Sequence, residues 1–301
     1  MGTTATGKTD AAAKLSSDLN GEIISVDSSL VYKGMNIGTA KPDADFLTQF
    51  PHHLIDIREP NDTYSVADFY TDAYALINDI TQRGKVPILI GGTHFYYSAL
   101  EQGISQLPPA NKELRAQILD DAAKEGWQKM HQRLAILDKE SAQRIDPMDT
   151  QRIQRALEIV IESGKTVAEH NVDRKPAITN PMLNIALVYS DRSYLHKRIE
   201  QRFDLMLEQG FQKEVEGLLE SGVKAESSAM RMIGYRQMLD FLQDDITYED
   251  MRNKGISATR QLAKRQLTWL RNRSNVIWWV DFGLKEKNYD PLSTFVNELI
   301  I

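Results

Sequence analysis

Apolar positions along this chain follow two periods. Short runs rich in Val, Ile and Leu occur at Glu22–Val26, Val86–Ile90, Leu183–Val188 and Val276–Val280, and each reads as a buried strand. Stretches with helical spacing stand between them, at Lys8–Leu19 and at Ser65–Arg83, the latter stopping at Gly84. Tyr32–Pro42 is rich in glycine and turn residues and reads as a loop. Strands alternating with helices predict an α/β fold with a parallel sheet flanked by helices. From Asn111 to His170 the spacing is helical throughout, bracketed by Pro108 and Pro109 before and by Pro176 and Pro181 after. This pattern predicts an all-helical domain at 111–170, inserted into a core built from 1–110 and 171–301. Asn288–Ile301 reads as a terminal amphipathic helix.

Composition narrows the class. The chain has 301 residues, 42% hydrophobic and 26% charged, an ordinary globular mix. It has no cysteine, which excludes a disulfide framework, a cysteine zinc site and a thiol nucleophile. No apolar run approaches the length of a bilayer span. The chain is therefore expected to work in the cytoplasm, off the membrane, with no obligate protein partner evident. The net charge of −6 taken alone argues against nucleic acid, but such binding depends on a local basic face.

Gly2-Thr3-Thr4-Ala5-Thr6-Gly7-Lys8-Thr9 satisfies every defined position of G-x-x-x-x-G-K-[ST]. The glycines let backbone N–H groups turn inward around phosphate oxygens, and the following helix points its positive end at the same anion. Lys8 adds a mobile charge, and the Thr9 hydroxyl suits Mg²⁺. A P-loop normally follows a buried strand, yet only Met1 precedes Gly2, so the numbering is expected to begin within or just after that strand.

The P-loop does not name its ligand. Val86–Ile90 ends in Gly91-Gly92-Thr93, with no carboxylate, whereas Glu22–Val26 ends at Asp27. Ligands of parallel sheets gather at the carboxyl ends of strands, so Asp27 and Thr93 are expected to face the bound phosphates. From its position Asp27 serves equally as magnesium ligand or general base. Arg202 falls within the apolar stripe of Leu195, Ile199 and Met206, where a guanidinium needs either a carboxylate or a ligand anion. Ala258–Asn275 carries Arg260, Lys264, Arg265, Arg271 and Arg273 without an acidic residue, which suits a polyanion such as RNA. Gln151-Arg152-Ile153-Gln154-Arg155 is a second basic turn. These features leave open a nucleotide kinase using ATP, and a P-loop protein that binds RNA and switches with nucleotide.

Several segments together resemble one family. They are the P-loop; Asp27-Ser28-Ser29-Leu30-Val31-Tyr32, continuing through Lys33-Gly34-Met35-Asn36-Ile37-Gly38-Thr39-Ala40-Lys41-Pro42; Gly91-Gly92-Thr93; Arg198-Ile199-Glu200-Gln201-Arg202-Phe203; Gly234-Tyr235-Arg236-Gln237; and Thr259-Arg260-Gln261-Leu262-Ala263-Lys264-Arg265-Gln266. From Gly2 to about Val280 the chain is similar to bacterial tRNA dimethylallyltransferases. The resemblance implies a P-loop NTPase-like core and transfer of a dimethylallyl group from dimethylallyl diphosphate, with Mg²⁺, to N6 of the adenine 3′ of the anticodon. It implies that the P-loop, Gly2 to Thr9, holds the diphosphate. Asp27 then takes the proton from N6, Thr93 helps hold the adenine, and Arg202 meets the leaving diphosphate.

The same resemblance implies contacts to the tRNA anticodon stem-loop. These fall at Asp27, Ser28, Ser29, Leu30, Thr93 and Arg115, and at Gln151, Arg152, Ile153, Gln154 and Arg155. They continue at Arg231, Met232, Ile233, Gly234, Tyr235 and Arg236, and at Lys264, Arg265, Gln266, Leu267, Thr268, Trp269, Leu270 and Arg271. Two stretches depart from the family pattern. The loop reads Thr3-Thr4-Ala5-Thr6 where Pro-Thr-Ala-Ser is expected. His94 and Phe95 follow Thr93 where other, mostly apolar residues are expected.

Overall fold

The computed structural model describes residues 1–105, 107–171, 176, 178, 182–281, 286 and 288–300. Pro181 and Ile301, which entered the sequence expectations, lie outside the described residues. Two compact units emerge, Met1–Ala99 with Ile178–Ile301, and Leu100–Ala177. The expected insertion limits, 111 and 170, both fall inside the second unit.

The first unit is α/β. After the P-loop come α1 (Lys8–Asp18), β1 (Gly21–Val26), α2 (Ala44–Gln49), β2 (His52–His53), α3 (Val66–Gln82), β3 (Val86–Gly91) and α4 (His94–Gln102). Strands β2, β1 and β3 pair side by side, all parallel, with Val26 beside Gly91 at the carboxyl end. Ile23, Ile24 and Val26 are buried, as a strand covered on both faces requires. Ser65 caps α3 and exchanges hydrogen bonds with Asp68; Phe69, Ala73, Ile77 and Ile80 form its buried stripe. The two-residue β2 is absent from the sequence expectations, being too short to show a period.

The second unit is helical, with α5 (Lys112–Glu125), α6 (Trp127–Leu137), α7 (Lys139–Arg144) and α8 (Thr150–Ser163). Its own core gathers Ile118, Met130, Leu134, Ile153 and Leu157. Asp138 is buried there: it caps α7 by accepting from the Ser141 amide and hydroxyl, and it also accepts the Val167 amide.

The chain then returns to the α/β unit through β4 (Ile185–Val188), α9 (Arg192–Glu208), α10 (Phe211–Glu220), α11 (Tyr235–Leu242), α12 (Tyr248–Arg271), β5 (Ile277–Val280) and α13 (Asp290–Ile300). β4 and β5 pair in parallel. Met1 and Gly2 lie along β4, where Gly2 bridges Leu187 in parallel and the Leu187 amide donates to the Met1 carbonyl at 3.0 Å. The residues that open the P-loop are thus extended beside a parallel strand. α12 has 24 residues, beginning ten residues before the basic run at Ala258–Asn275.

Candidate active site

The P-loop wraps the start of α1. Gly7 adopts φ +79, a conformation that favours glycine, and caps the helix without a side-chain bond. Ala5 also has a positive φ, +63, a strained choice for a residue with a Cβ. The amides of Gly7, Lys8 and Thr9 donate to no described residue. Unpartnered amides at a helix start are an anion site. The loop is braced from behind. Thr6 Oγ1 donates to the Thr3 carbonyl at 2.9 Å, and Arg198 Nε donates to the Ala5 carbonyl at 2.9 Å. Thr6 replaces a serine of the family pattern and keeps the hydroxyl that this brace uses.

Lys8 Nζ donates to the Thr3 carbonyl at 2.7 Å. Burial, and secondarily the charge of Arg202, lower the Lys8 ammonium to about 8, against the pull of Asp27. Lys8, Arg202 and Asp27 therefore feel one another. Arg202 projects from α9 between the buried Ile199, Phe203 and Met206. Its Nη2 donates to the Thr39 carbonyl at 3.3 Å, and among the described residues it pairs with no carboxylate. Burial lowers its pKa, partly countered by Asp27. The open choice for Arg202 thus falls away from a protein carboxylate.

Opposite these cations, β1 and β3 deliver the two strand-end residues. The Thr93 amide donates to the Val26 carbonyl at 3.2 Å, and Thr93 Oγ1 accepts the Ser28 amide at 3.1 Å. Asp27 Oδ1 accepts the Ser29 amide at 2.9 Å and the Ser29 hydroxyl at 2.5 Å. Its other oxygen accepts no hydrogen bond from a described residue. Asp27, Ser28, Ser29 and Thr93 are one cluster, as their place at adjacent strand ends predicts.

His94 is buried and stacks on Trp269, ring centroids 4.2 Å apart at 11°. Burial first, then Lys8, lower its pKa to about 4, so it stays neutral. A neutral, stacked imidazole takes the place of the apolar residue the position calls for. Arg273 sits over the same Trp269 ring at 4.4 Å.

Gln266 makes contacts within the protein that its place in the basic run does not predict. It is only 6% exposed. Its Oε1 accepts the Thr4 amide at 2.8 Å, and its Nε2 donates to the Gly92 carbonyl at 3.0 Å. One side chain thereby ties the P-loop to the turn that carries Thr93. Leu270, Ile153 and Tyr235 are fully buried and offer RNA no side-chain surface. Gly234 is buried too, and its φ of +92 suits glycine where α11 begins; its amide donates to Gln237 at 2.8 Å. The motif Gly234-Tyr235-Arg236-Gln237 thus holds backbone in place, and only Arg236 is exposed.

The exposed members of the expected RNA set are Ser28, Arg115, Gln151, Arg152, Arg231, Arg236, Lys264, Arg265, Thr268 and Arg271. Leu30, Gln154, Arg155, Met232, Ile233, Leu267 and Trp269 are partly buried. On α12, Lys264, Arg265, Thr268 and Arg271 share one face, and the three cations make no ion pair with a described residue. Arg260 leaves that stripe: it donates to Glu200 at 2.9 Å, and Glu200 also takes Arg252. Glu214, absent from the expected site, gathers the loop amides of Asn36, Ile37 and Gly38.

The profile of the IPP transferase family matches residues 30–273. The chain is 52% identical over 273 residues to a tRNA dimethylallyltransferase of Thiobacillus denitrificans, covering 90% of this chain and 87% of the relative. Among solved structures it is similar to the tRNA isopentenylpyrophosphate transferase of Bacillus halodurans, with a TM-score of 0.71 and 35% identity over 99% of this chain and 94% of the other. It is also similar to a eukaryotic dimethylallyltransferase acting on tRNA, with a TM-score of 0.82 and 28% identity over 99% of this chain and 78% of the other. A phosphate loop facing unpartnered cations, a strand-end acid beside a threonine, and a match spanning most of the sequence lead to one assignment: the chain belongs to the IPP transferase family.

Proposed function

We infer that this chain transfers a dimethylallyl group from dimethylallyl diphosphate to N6 of the adenine immediately 3′ of the anticodon in tRNA, releasing diphosphate. The observation that carries the reading is the pair of cations, Lys8 and Arg202, left without carboxylates across from Asp27 and Thr93. The N6 lone pair attacks C1 of the allyl group. The C1–O bond breaks, its electrons leave with the diphosphate, and the N6 proton passes to Asp27 as general base. Positive charge grows at the allyl carbon and negative charge on the leaving oxygens. Lys8, Arg202 and the amides of Gly7 to Thr9 oppose the second. Thr93, anchored to the Ser28 amide, holds the adenine beside Asp27.

The donor set fits Mg²⁺. No cluster of three or more His, Asp or Glu able to hold a metal occurs among the described residues, and Mg²⁺ in phosphoryl sites characteristically leans on phosphate oxygens and few protein ligands. The Thr9 hydroxyl, at the first turn of α1, would hold it together with diphosphate oxygens, and the ion would add to the neutralisation of the leaving group. The exposed face of α12 suits the tRNA backbone, and the target base must leave its stack to reach Asp27. No described helix is long and apolar enough to cross a membrane, and a tRNA substrate favours work in the cytoplasm.

The test is one incubation of protein, Mg²⁺ and unmodified tRNA with dimethylallyl diphosphate, with a parallel tube containing ATP. Nucleosides from the digested tRNA are weighed by mass spectrometry. Prenylated adenosine only in the diphosphate tube is expected. No mass gain, with the protein folded and tRNA bound, overturns the reading in favour of an ATP-dependent kinase or switch.

A further inference from the structure

The loop after β1 hangs on one carboxylate. Glu214 stands in the first turn of α10. Its Oε2 accepts the amides of Asn36 at 2.8 Å and Ile37 at 2.6 Å; its Oε1 accepts the amide of Gly38 at 3.1 Å and the hydroxyl of Tyr235 at 2.6 Å. These hydrogen bonds are strengthened by the charge. Tyr235 is fully buried, its ring edge-on to Phe211 at 5.0 Å. Burial first, then the Glu214 carboxylate, push the Tyr235 hydroxyl far above its ordinary range, so it stays protonated and donates. Gly38 lies flat against both rings, where any Cβ would collide with them.

The segment beyond is also fixed. The Ala40 amide donates to Ile37, the Lys41 amide to Asn36, each at 2.9 Å, and Thr39 Oγ1 donates to Met35 at 2.6 Å. The carbonyl at the centre of this turn, that of Thr39, accepts Arg202 Nη2. Glu214 directs its charge to the loop amides of Asn36, Ile37 and Gly38, and so fixes the segment whose next carbonyl, that of Thr39, accepts Arg202.

We propose that Glu214, seconded by Tyr235, is a positioning residue for the transfer, acting on Arg202 through the Thr39 carbonyl. This rests on the reading of Arg202 as the cation that meets the leaving diphosphate. A glutamine at 214, in either orientation of its amide, turns an NH₂ group toward at least one backbone N–H that needs an acceptor, so the loop shifts while the side-chain volume is kept. A shift of this kind is expected to lower kcat about tenfold to a hundredfold.

The experiment is a double-mutant cycle with Glu214→Gln, Arg202→Ala and the pair, read as single-turnover prenyl transfer at saturating tRNA, with melting followed in parallel. The expected result is a fall in kcat for Glu214→Gln with KM for tRNA unchanged, and no further fall when it is added to Arg202→Ala. Wild-type turnover in Glu214→Gln, or an equal loss in both backgrounds, overturns the inference. Wild-type turnover in Arg202→Ala overturns the underlying reading of Arg202 instead. Should Glu214→Gln fail to fold, Tyr235→Phe removes one hydroxyl from the same carboxylate and takes its place in the cycle. A fall in kcat that vanishes in the Arg202→Ala background is again expected, and wild-type turnover or an equal loss in both backgrounds again overturns the inference.

Discussion

In the helical unit, the Glu158 carboxylate is 2% exposed and takes two guanidiniums, Arg115 at 2.7 Å and Arg155 at 3.1 Å. Arg155 goes on to donate to the Pro108 carbonyl at 2.8 Å. In the α/β unit, Lys8 and Arg202 are partly buried, and each donates only to a backbone carbonyl. Burying a cation without an anion is costly. The first cluster has settled that cost inside the protein. The second has left it standing, for a ligand to settle. Charges of the first kind should govern stability, and charges of the second kind should govern rate and affinity.

The sharpest separation is at Asp27. Asp27→Asn is expected to lower transfer about 10²–10⁴-fold while tRNA binding and melting stay as they are. Single-turnover kinetics and filter binding measure both, and near-normal turnover would remove Asp27 from the role of base.

Glu158→Ala should do the opposite. It strands two guanidiniums and is expected to destabilise the protein by about 2 kcal/mol in chemical denaturation, with the chemical step unchanged at saturating tRNA. Burial alone would raise the Glu158 carboxyl. Arg115 and Arg155 outweigh it and hold the group below the ordinary 4.5. A depressed carboxyl stabilises above its unfolded value and loses that contribution as pH falls through its folded value. The difference between wild type and variant should therefore close below about pH 4.5. A difference that persists at lower pH means packing, not charge, is what Glu158 supplies.

Lys8 sharpens the comparison from the other side. With its ammonium lowered to about 8 before ligand binds, it is charged below that pH and neutral above it. Diphosphate affinity is expected to fall about tenfold per pH unit above about 8. Lys8→Arg should flatten that limb, because a guanidinium does not titrate there. A limb retained in the arginine variant assigns the titration to another group. The smallest effect is expected on α12. Replacing Lys264 and Arg271 together by alanine should reduce the slope of log affinity for tRNA against log salt by about 1.5. An unchanged slope moves the RNA face elsewhere.

Features built from neighbours in the chain were legible before the fold. The P-loop, the strand that ends at Asp27, the Gly91-Gly92-Thr93 turn and the helical run at 111–170 all depend on local spacing, and the structure places them accordingly. Arg202 stood out because a charge interrupts an apolar stripe. Features that depend on distant partners were not legible. Glu214 reads as an ordinary acid in an amphipathic helix, and its amides lie 176 to 178 residues away. Gln266 sits beside Lys264 and Arg265 and looked like part of a basic face, whereas its partner Thr4 is 262 residues away. Arg260 belongs to the same basic run, but only the packing of α9 against α12 reveals Glu200 beside it.

The bridge made by Gln266 has a consequence for how this sequence can change. The position needs a donor and an acceptor at one reach, one for the Gly92 carbonyl and one for the Thr4 amide. Glutamate keeps the acceptor but sets its second oxygen against a carbonyl; lysine and arginine keep only donors; leucine keeps neither; asparagine carries both groups one methylene short. Among the single-base exits from a glutamine codon, only histidine carries both a donor and an acceptor, and there they are fixed within a ring. Drift at neighbouring exposed positions such as Gln261 should be tolerated, while position 266 stands nearly frozen in any survey of functional variants.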